Sequence, residues 1–404
     1  MNTHSKIRFL DRTTPPHILT LVLMAGVSAM TMNVFLPALP EMTEYFGTNY
    51  AYMQLSIGVF MGMNAVLQLI VGPMSDRFGR RPVALVGVVL FIIATYAAMQ
   101  ATTIQTFLIL RGAQAGVVTA MVLSRAVVRD VFPGDTAAKM MAYVTMGMSL
   151  VPMIAPTVGG FLAMSFGWES TFWLLFIAGL GLLALIYFDM GETAPKSSGS
   201  FLDMAKGFPD LLTSQRFLGY ALCSALASGA FFAFLGGAPF VGVQIFGISE
   251  AALGMGIGAP AIGYFFGNFL SARFSVRIGM NKMCFIGTLV TFAGISLCAL
   301  LIYTGHITAF WFFALMIPLG LGNGLTMPNA ITGSMSVRPK LTGTAAGLGG
   351  AMMIGGGAAL SASSGAFMSV EHGALPLLLI MMLVSFLSIV AIVWVIRRER
   401  ALTL

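Results

Sequence analysis

The densest group of charged residues in this chain is the stretch from Gly72 to Arg81, G-P-M-S-D-R-F-G-R-R. Its last seven residues, from Ser75 onward, carry one carboxylate and three guanidinium groups, and long apolar runs lie on both sides. Carboxylates and guanidinium groups form ion pairs and charge-assisted hydrogen bonds. The chemistry that this stretch offers is therefore the making and breaking of a polar contact, rather than a covalent reaction.

Residues that commonly serve catalysis or metal binding are few and scattered. The histidines lie near the termini or in polar links, and the cysteines lie singly in apolar runs without CxxC spacing. These residues are His4, His17, His306 and His372, and Cys223, Cys284 and Cys298. The sequence contains no phosphate-binding G-x-x-x-x-G-K-[ST] motif. We therefore predict no metal site, no cofactor, no enzymatic activity and no ATP-driven transport by this chain alone.

The composition is that of a membrane protein. Of the 404 residues, 58% are hydrophobic and 9% are charged, and the mean hydropathy is +0.91. Soluble domains have about 25% charged residues. In lipid, a helix satisfies its own backbone hydrogen bonds, and roughly 20 apolar residues are needed to cross the bilayer. The sequence therefore predicts an all-α polytopic membrane protein.

Twelve apolar windows of suitable length alternate with polar links. They are approximately 17–39, 51–72, 83–101, 105–128, 138–164, 170–190, 214–236, 251–271, 283–304, 307–330, 341–366 and 374–396. With twelve spans, every Lys and Arg except Arg111 falls on one side of the membrane. The positive-inside rule then predicts that both termini are cytoplasmic. The net charge of +7 reflects this topology, so we expect no nucleic-acid partner.

The windows divide into two groups of six. We predict a first six-helix half over 1–190, a cytoplasmic linker over 191–213 and a second six-helix half over 214–404. Ser75–Phe78 after the second window is similar to Ser271–Phe274 after the eighth, at an offset of 196 residues, with Ala272 in place of the acid. Parallel six-helix repeats of this kind are a transporter architecture.

Arg111 is the exception to the basic pattern, because it falls inside the fourth window. A charge within the bilayer costs a few kcal/mol or more, so such residues face a water-filled cavity or a partner. One interpretation is a cavity-facing cation assisted by Gln114 on the same helix face. The alternative is that its long side chain reaches the outer membrane interface.

Three further motifs accompany the charged stretch: Phe35–Pro40 (F-L-P-A-L-P), Arg111–Gly116 (R-G-A-Q-A-G) and Gly147–Gly160 (G-M-S-L-V-P-M-I-A-P-T-V-G-G). Together the four motifs resemble the major facilitator superfamily and, within it, drug:proton antiporters of the Bcr/CflA type. The resemblance implies twelve transmembrane helices in two six-helix halves. It also implies a monomeric inner-membrane secondary transporter that exports drug-like or amphipathic small molecules by alternating access, coupled to protons.

The resemblance also implies a conformational latch at the charged stretch. Asp76 is expected to cap a helix N-terminus of the other half, and Arg80 or Arg77 to pair with Asp130. The expected members are Gly72, Asp76, Arg77, Gly79, Arg80 and Asp130. The alternative is that the arginines only anchor the topology.

The fifth window carries the motif that is typical of antiporters. Its expected functional residues are Gly147, Pro152, Pro156, Gly159 and Gly160. Prolines and glycines at such spacing admit a kink and close helix packing.

The sequence departs from the family in the first window, where Asn33 stands at a position that is acidic in many relatives. An asparagine cannot carry a proton near neutral pH. Protons could instead couple through Asp130, Asp189 or Glu41, the cargo itself could carry the charge, or transport could be uncoupled. For the cavity and for coupling we single out Asn33, Gln68, Arg111 and Gln114. The alternative function is export of one metabolite, such as a sugar, an amino acid or a siderophore.

Overall fold

The computed structural model describes residues 8–132, 134–193, 208–338, 341–366 and 368–403. Within these ranges the chain is nearly all helical and contains no strand.

The first six membrane-length segments are α1 to α6. They are α1 (Ile18–Asn33, continued by Leu36–Ala38 and Leu39–Tyr45), α2 (Tyr50–Phe78), α3 (Arg80–Met99), α4 (Ile104–Gln114, Ala115–Val117 and Val118–Val131), α5 (Gly134–Phe166) and α6 (Glu169–Asp189).

A short helix, Phe208–Leu212, precedes the other six. They are α7 (Gln215–Phe240, continued by the π turn Val241–Ile245), α8 (Glu250–Ile278), α9 (Met280–Tyr303), α10 (Ala309–Ala314 and Ile317–Ser336), α11 (Thr342–Ala366) and α12 (Leu375–Thr403).

Each of the twelve predicted windows coincides with one of these segments. Ten segments of the described chain are long and apolar enough to cross a membrane. The other two, α5 and α11, are 33 and 25 residues long. The predicted all-α polytopic fold is confirmed. The middle of the predicted linker, 194–207, lies outside the described residues.

The internal repeat has a different register from the one that the sequence suggested. Helices α2 and α8 are both 29 residues long and end before Gly79 and Gly279, whose φ angles are 95° and 89°. Each glycine donates its N–H to the carbonyl of a serine four residues earlier, at 2.9 Å. The offset is therefore 200 residues, and Asp76 aligns with Val276. The predicted alignment of Asp76 with Ala272 was wrong by one helical turn. It relied on three identical residues, Ser, Arg and Phe, whereas the glycine that ends each helix gives the structural alignment.

The first six helices pack against the last six mainly through two pairs, α2 with α11 and α5 with α8. We call the end of the molecule with the links α2–α3, α4–α5 and α8–α9 the basic face. The opposite end, with the links α1–α2 and α7–α8, is the acidic face.

Candidate functional site

Arg80 is the centre of a charge cluster on the basic face. The positive φ of Gly79 reverses the chain, so that α3 begins directly after α2. Arg80, the first residue of α3, therefore lies beside the last turn of α2. Its Nη1 lies 2.6 Å from Asp76 Oδ1 and its Nε lies 3.0 Å from Asp130 Oδ2, and it also donates to Ser75 Oγ. The Arg80 side chain is 9% exposed. The cluster therefore joins α2, α3 and α4.

Glu192 supports this cluster, although the sequence did not single it out. Its carboxylate accepts the main-chain N–H groups of Arg80 at 2.7 Å and Arg81 at 3.3 Å. These are unpaired donors of the first turn of α3, where a negative charge is favourable. A Cβ on Gly79 would lie 2.4 Å from a Glu192 oxygen. Glycine is thus required there both by its φ angle and by this close approach.

The structure brings together part of the predicted latch. Asp76, Gly79, Arg80 and Asp130 are assembled, and Arg80 rather than Arg77 pairs with Asp130. The Arg77 guanidinium instead lies 5.3 Å from the centre of the exposed Phe78 ring. Gly72 contributes a carbonyl 3.5 Å from Arg80 Nη1. The contact of Asp76 with a helix N-terminus of the other half stays a prediction.

Asp189, a candidate for proton coupling, is fully buried and bonded on both oxygens. Its carboxylate accepts from Leu10 N at 2.7 Å, His17 N at 2.8 Å and Thr20 Oγ1 at 2.7 Å. These contacts fasten the segment before α1 to the end of α6. Because all three donors belong to the segment before α1 and its first turn, this geometry favours a structural role for Asp189.

Arg111 is enclosed rather than open to a cavity in this conformation. It is 0% exposed, and its Nη1 donates to Gln114 Oε1 at 2.5 Å, as predicted from the i+3 spacing. The guanidinium lies 4.2 Å from the ring centre of Phe35 and 4.9 Å from that of Phe60. Its Nη2 is 3.5 Å from the Thr31 carbonyl. None of its contacts among the described residues is a carboxylate.

The prediction of a cavity-facing Arg111 is therefore not met in this state, and neither is the interfacial alternative. The physical reason is that two aromatic faces and a neutral amide stabilise the cation inside the protein. Gln114 in turn donates to Thr95 Oγ1 at 2.9 Å, so α3 and α4 hold this arrangement rigidly.

Asn33 lies beside the antiporter motif. It is buried, it donates to the Ala29 carbonyl at 2.6 Å, and its Oδ1 has no partner among the described residues. On α5, a Cβ on Gly159 would overlap the Val34 carbonyl, and a Cβ on Gly160 would lie 2.2 Å from the Glu250 carbonyl. Close packing of α5 on α1 and α8 thus requires these glycines.

The other motif residues on α5 are less informative. The Pro156 carbonyl would be 2.3 Å from a Cβ on Gly254, so this part of α5 also touches α8. Gly147 and Pro152 lie on α5, in a stretch whose side-chain surroundings are outside the described structure.

Two uncharged side chains of α2 join it to the second six helices near the acidic face. The Tyr50 hydroxyl donates to the Gly236 carbonyl at 2.8 Å and accepts from Phe240 N at 3.2 Å. The hydroxyl therefore bridges the Gly236 carbonyl and the Phe240 N–H, two main-chain groups of α7 that are four residues apart. This insertion lies just before the π turn. Gln54 Nε2 donates to the Ser361 carbonyl at 2.7 Å and to Ser364 Oγ at 2.9 Å.

We call the contact surface between α2 and α11 the seam. It continues from these hydrogen bonds toward the middle of the molecule. Three glycines mark its close approaches. A Cβ added to Gly58 would lie 3.2 Å from Ala362, one added to Gly355 would lie 3.7 Å from Ala65, and one added to Gly350 would lie 2.9 Å from Gln68. One turn nearer the basic face stand Gly72 and Gly347. A Cβ on either would meet no described neighbour within 4 Å. The described close approaches between the two helices thus extend from the acidic face as far as Gln68 and Gly350.

Comparisons with known proteins agree with this architecture. A family model described as the Major Facilitator Superfamily matches residues 21–362. The chain belongs to the major facilitator superfamily. It is 28% identical over 349 residues to a bicyclomycin resistance protein homolog of Haemophilus influenzae, covering 84% of this chain and 86% of that protein. It is 27% identical over 379 residues to multidrug resistance protein D of Escherichia coli, covering 90% and 92%.

Solved structures show the same major facilitator fold. A bacterial homologue of the human lysosomal transporter Spinster, inward-facing and occupied, has a TM-score of 0.72 at 16% identity, covering 95% of this chain and 96% of that one. A D-xylose-proton symporter has a TM-score of 0.70 at 16% identity, covering 92% and 96%. The resemblance to Bcr/CflA-type drug exporters that the motifs indicated is confirmed by the curated relatives.

Within this major facilitator chain, sequence reasoning missed Glu192, Tyr50 and Gln54. Glu192 directly follows the last residues of α6 and could have been noticed as an acid near the positive links. Tyr50 and Gln54 carried no comparable signal, because three of their four partners are main-chain groups.

Proposed function

We propose that this protein is a secondary transporter of the bacterial inner membrane that exports drug-like or amphipathic small molecules by alternating access. The names of its relatives, which refer to bicyclomycin resistance and multidrug resistance, support this substrate class. A chloramphenicol resistance protein of Pseudomonas aeruginosa, 28% identical over 342 residues, supports it further.

The observation that carries the mechanism is the seam between α2 and α11. Alternating access needs two states, each closed at one end of the molecule. This conformation is joined near the acidic face by Tyr50 and Gln54, and the described close approaches of α2 and α11 extend from there as far as Gln68 and Gly350. With the basic face in the cytoplasm, as the positive-inside rule predicts, it corresponds to the inward-open state.

The same orientation places both termini in the cytoplasm. We take 1–190 and 214–404 as the two moving halves, since the bonds of Tyr50 and Gln54 must break for them to rearrange. These bonds are uncharged and cost little to exchange with water, about 1 kcal/mol each. A monomer suffices for this mechanism.

For proton coupling, the geometry favours Glu41 over the other sequence candidates. Asp189 is fully bonded and Asp130 is paired with Arg80. In contrast, Glu41 Oε2 is buried without a partner in the described structure, and so is Glu250 Oε2 at the start of α8. The two carboxylates belong to opposite halves and are close enough at the acidic face for the charge of Glu41 to act on Glu250, while Glu169 and Glu44 are further acidic neighbours of Glu41. A proton bound there would relieve their repulsion and favour closure.

Transport in liposomes tests the function. Reconstituted protein should move a fluorescent amphipathic compound faster when a pH gradient is imposed. Glu41→Gln with Glu250→Gln should make the rate indifferent to the gradient, while Glu371→Gln, an exposed control in the α11–α12 link, should not. Wild-type transport that ignores the gradient would contradict proton coupling. Resistance to a single compound in a broad susceptibility panel would instead indicate a specific metabolite exporter.

Distance measurements test the state assignment. Spin labels at Thr48, in the α1–α2 link, and at Gln244, in the π turn that ends α7, should report a single short distance in the wild type. The double variant Tyr50→Phe and Gln54→Leu should add a longer distance. An unchanged distribution would mean that these side chains do not hold the face closed.

A further inference from the structure

A small cavity opens on the basic face beside the charge cluster. Its volume is about 300 Å³, and its lining residues are Arg12, Thr13, Arg81, Pro82, Gly191 and Glu192. It lies between the segment before α1, the start of α3 and the chain that follows α6. The mechanism of transport proposed above makes no use of it.

Tyr187 holds the Arg81 guanidinium in place, and one N–H donor of this group has no described acceptor. The guanidinium lies 5.2 Å from the centre of the Tyr187 ring and donates through Nη2 to the Tyr187 carbonyl at 3.0 Å. Its Nε is buried and has no partner among the described residues. Arg12, on the opposite wall, is exposed. Two arginines thus line one cavity.

The carboxylates nearby are already compensated. Glu192 accepts three main-chain N–H groups, from Arg80, Arg81 and Thr193 at 2.7, 3.3 and 3.0 Å. Asp11 accepts from Thr13 N at 3.0 Å and Thr13 Oγ1 at 2.5 Å. Hydrogen bonds from Thr13 hold the pKa of Asp11 below its usual range, and Arg8 acts in the same direction. These carboxylates keep their charge, but the residues that line the cavity carry two positive charges, Arg12 and Arg81, and one negative charge, Glu192.

The cavity stands at the level of lipid headgroups. Tyr187 and Phe188, in the last turn of α6, are about half exposed, and Phe78 at the end of α2 is 62% exposed. Exposed aromatic residues at helix ends are typical of the membrane interface. The wall that carries Arg12 is fixed, since Asp189 binds the main chain of Leu10 and His17 on either side of it.

We propose that this cavity binds the phosphate group of an anionic phospholipid. Guanidinium forks match phosphate geometry, and basic pockets at the ends of transmembrane helices recognise such headgroups. In the described part of the second half, no arginine stands at the corresponding position. At the offset of 200, Arg81 corresponds to Asn281, whose amide donates to Glu399 at 2.5 Å. The expected stoichiometry is therefore one lipid per chain.

The test uses the purified full chain in detergent, with bound lipid counted by native mass spectrometry. Wild type should retain one phosphatidylglycerol and prefer it to phosphatidylcholine with the same acyl chains. Arg12→Gln and Arg81→Gln should each weaken phosphatidylglycerol binding roughly five-fold. Arg273→Gln, an exposed arginine of α8 near the same face, is the matched control and should bind as wild type does.

A second arm separates the lipid from free phosphate. Millimolar inorganic phosphate should leave the bound phosphatidylglycerol in place, because the acyl chains add apolar contact. Displacement by phosphate alone would overturn the assignment to a lipid. Equal phosphatidylglycerol binding by wild type and Arg12→Gln would overturn the site itself, since the exposed Arg12 can be changed without disturbing the fold.

Discussion

The two halves of this transporter have the same helix ends but opposite charges at their centres on the basic face. In the first half, one cation, Arg80, binds two acids, Asp76 and Asp130. In the second half, one acid, Glu399 near the end of α12, is the centre: it accepts from Arg216 at 2.6 Å, from Tyr220 at 3.1 Å and from Asn281.

The two halves share the glycine that ends the second helix of each half, but the side chains around that glycine differ. The glycine with positive φ recurs at 79 and 279, because the chain must reverse there in both copies. The side chains around it do not recur: Arg80 corresponds to Met280 and Asp76 to Val276. The first cluster ties the α2–α3 link to α4, whereas the second ties the start of α7 and α9 to the end of the chain. Each cluster lies within one half, and only the first contains residues of the latch predicted from the sequence, so we expect transport to depend more on the first.

The largest effect should come from replacing Arg80 by its counterpart, Arg80→Met. Two carboxylates would lose their partner, and breaking a buried ion pair from one side costs about 3–5 kcal/mol. We expect a large fall in thermal stability and transport reduced at least ten-fold. Arg77→Met, an exposed neighbour, is the control for both measurements and should behave as wild type does. Equal effects of the two substitutions would contradict the central role of Arg80.

The two turn glycines form a matched pair. Gly279→Ala meets open space and should cost only the strain of its φ angle, about 1–2 kcal/mol. Gly79→Ala carries the same strain and also collides with Glu192. Its loss of thermal stability should therefore exceed that of Gly279→Ala by a clear margin. Equal losses would show that Glu192 does not approach this turn in the native protein.

The second cluster should matter for stability more than for transport. Glu399→Gln keeps the shape but weakens the bonds from Arg216 and Tyr220, at about 1–2 kcal/mol. Thermal stability should fall while the export rate per folded molecule stays near that of wild type. A selective loss of transport would place the second cluster in the transport cycle and remove the distinction between the halves.

The smallest effect on stability should follow Asp76→Asn, because Arg80 keeps its bond to Asp130. The pair of Asp76 with Arg80 is partly exposed, with 34% of the Asp76 side chain accessible, so we expect about 1 kcal/mol or less. If Asp76 governs switching rather than cargo choice, all substrates should slow by the same factor. A changed order of preference in a substrate panel would contradict that role.

The sequence by itself determined the membrane class, the twelve helices, the family and half of the charge cluster. Helix spans are local, since each must be apolar over its whole length, and the motif residues Asp76 and Arg80 stand one turn apart. The Gln114 partner of Arg111 was predictable for the same reason. The enclosure of Arg111 was not, because Phe60 approaches it from a different helix.

Only the tertiary structure decided how the halves are joined and where the cluster is supported. Glu192 acts on α3 from 112 residues away, Tyr50 on Gly236 from 186, and Gln54 on Ser361 from 307. In each of these contacts one partner is a main-chain N–H or carbonyl group. Because nearly every residue carries both groups, no residue type marks the partner in the sequence, and the pairing follows from packing alone.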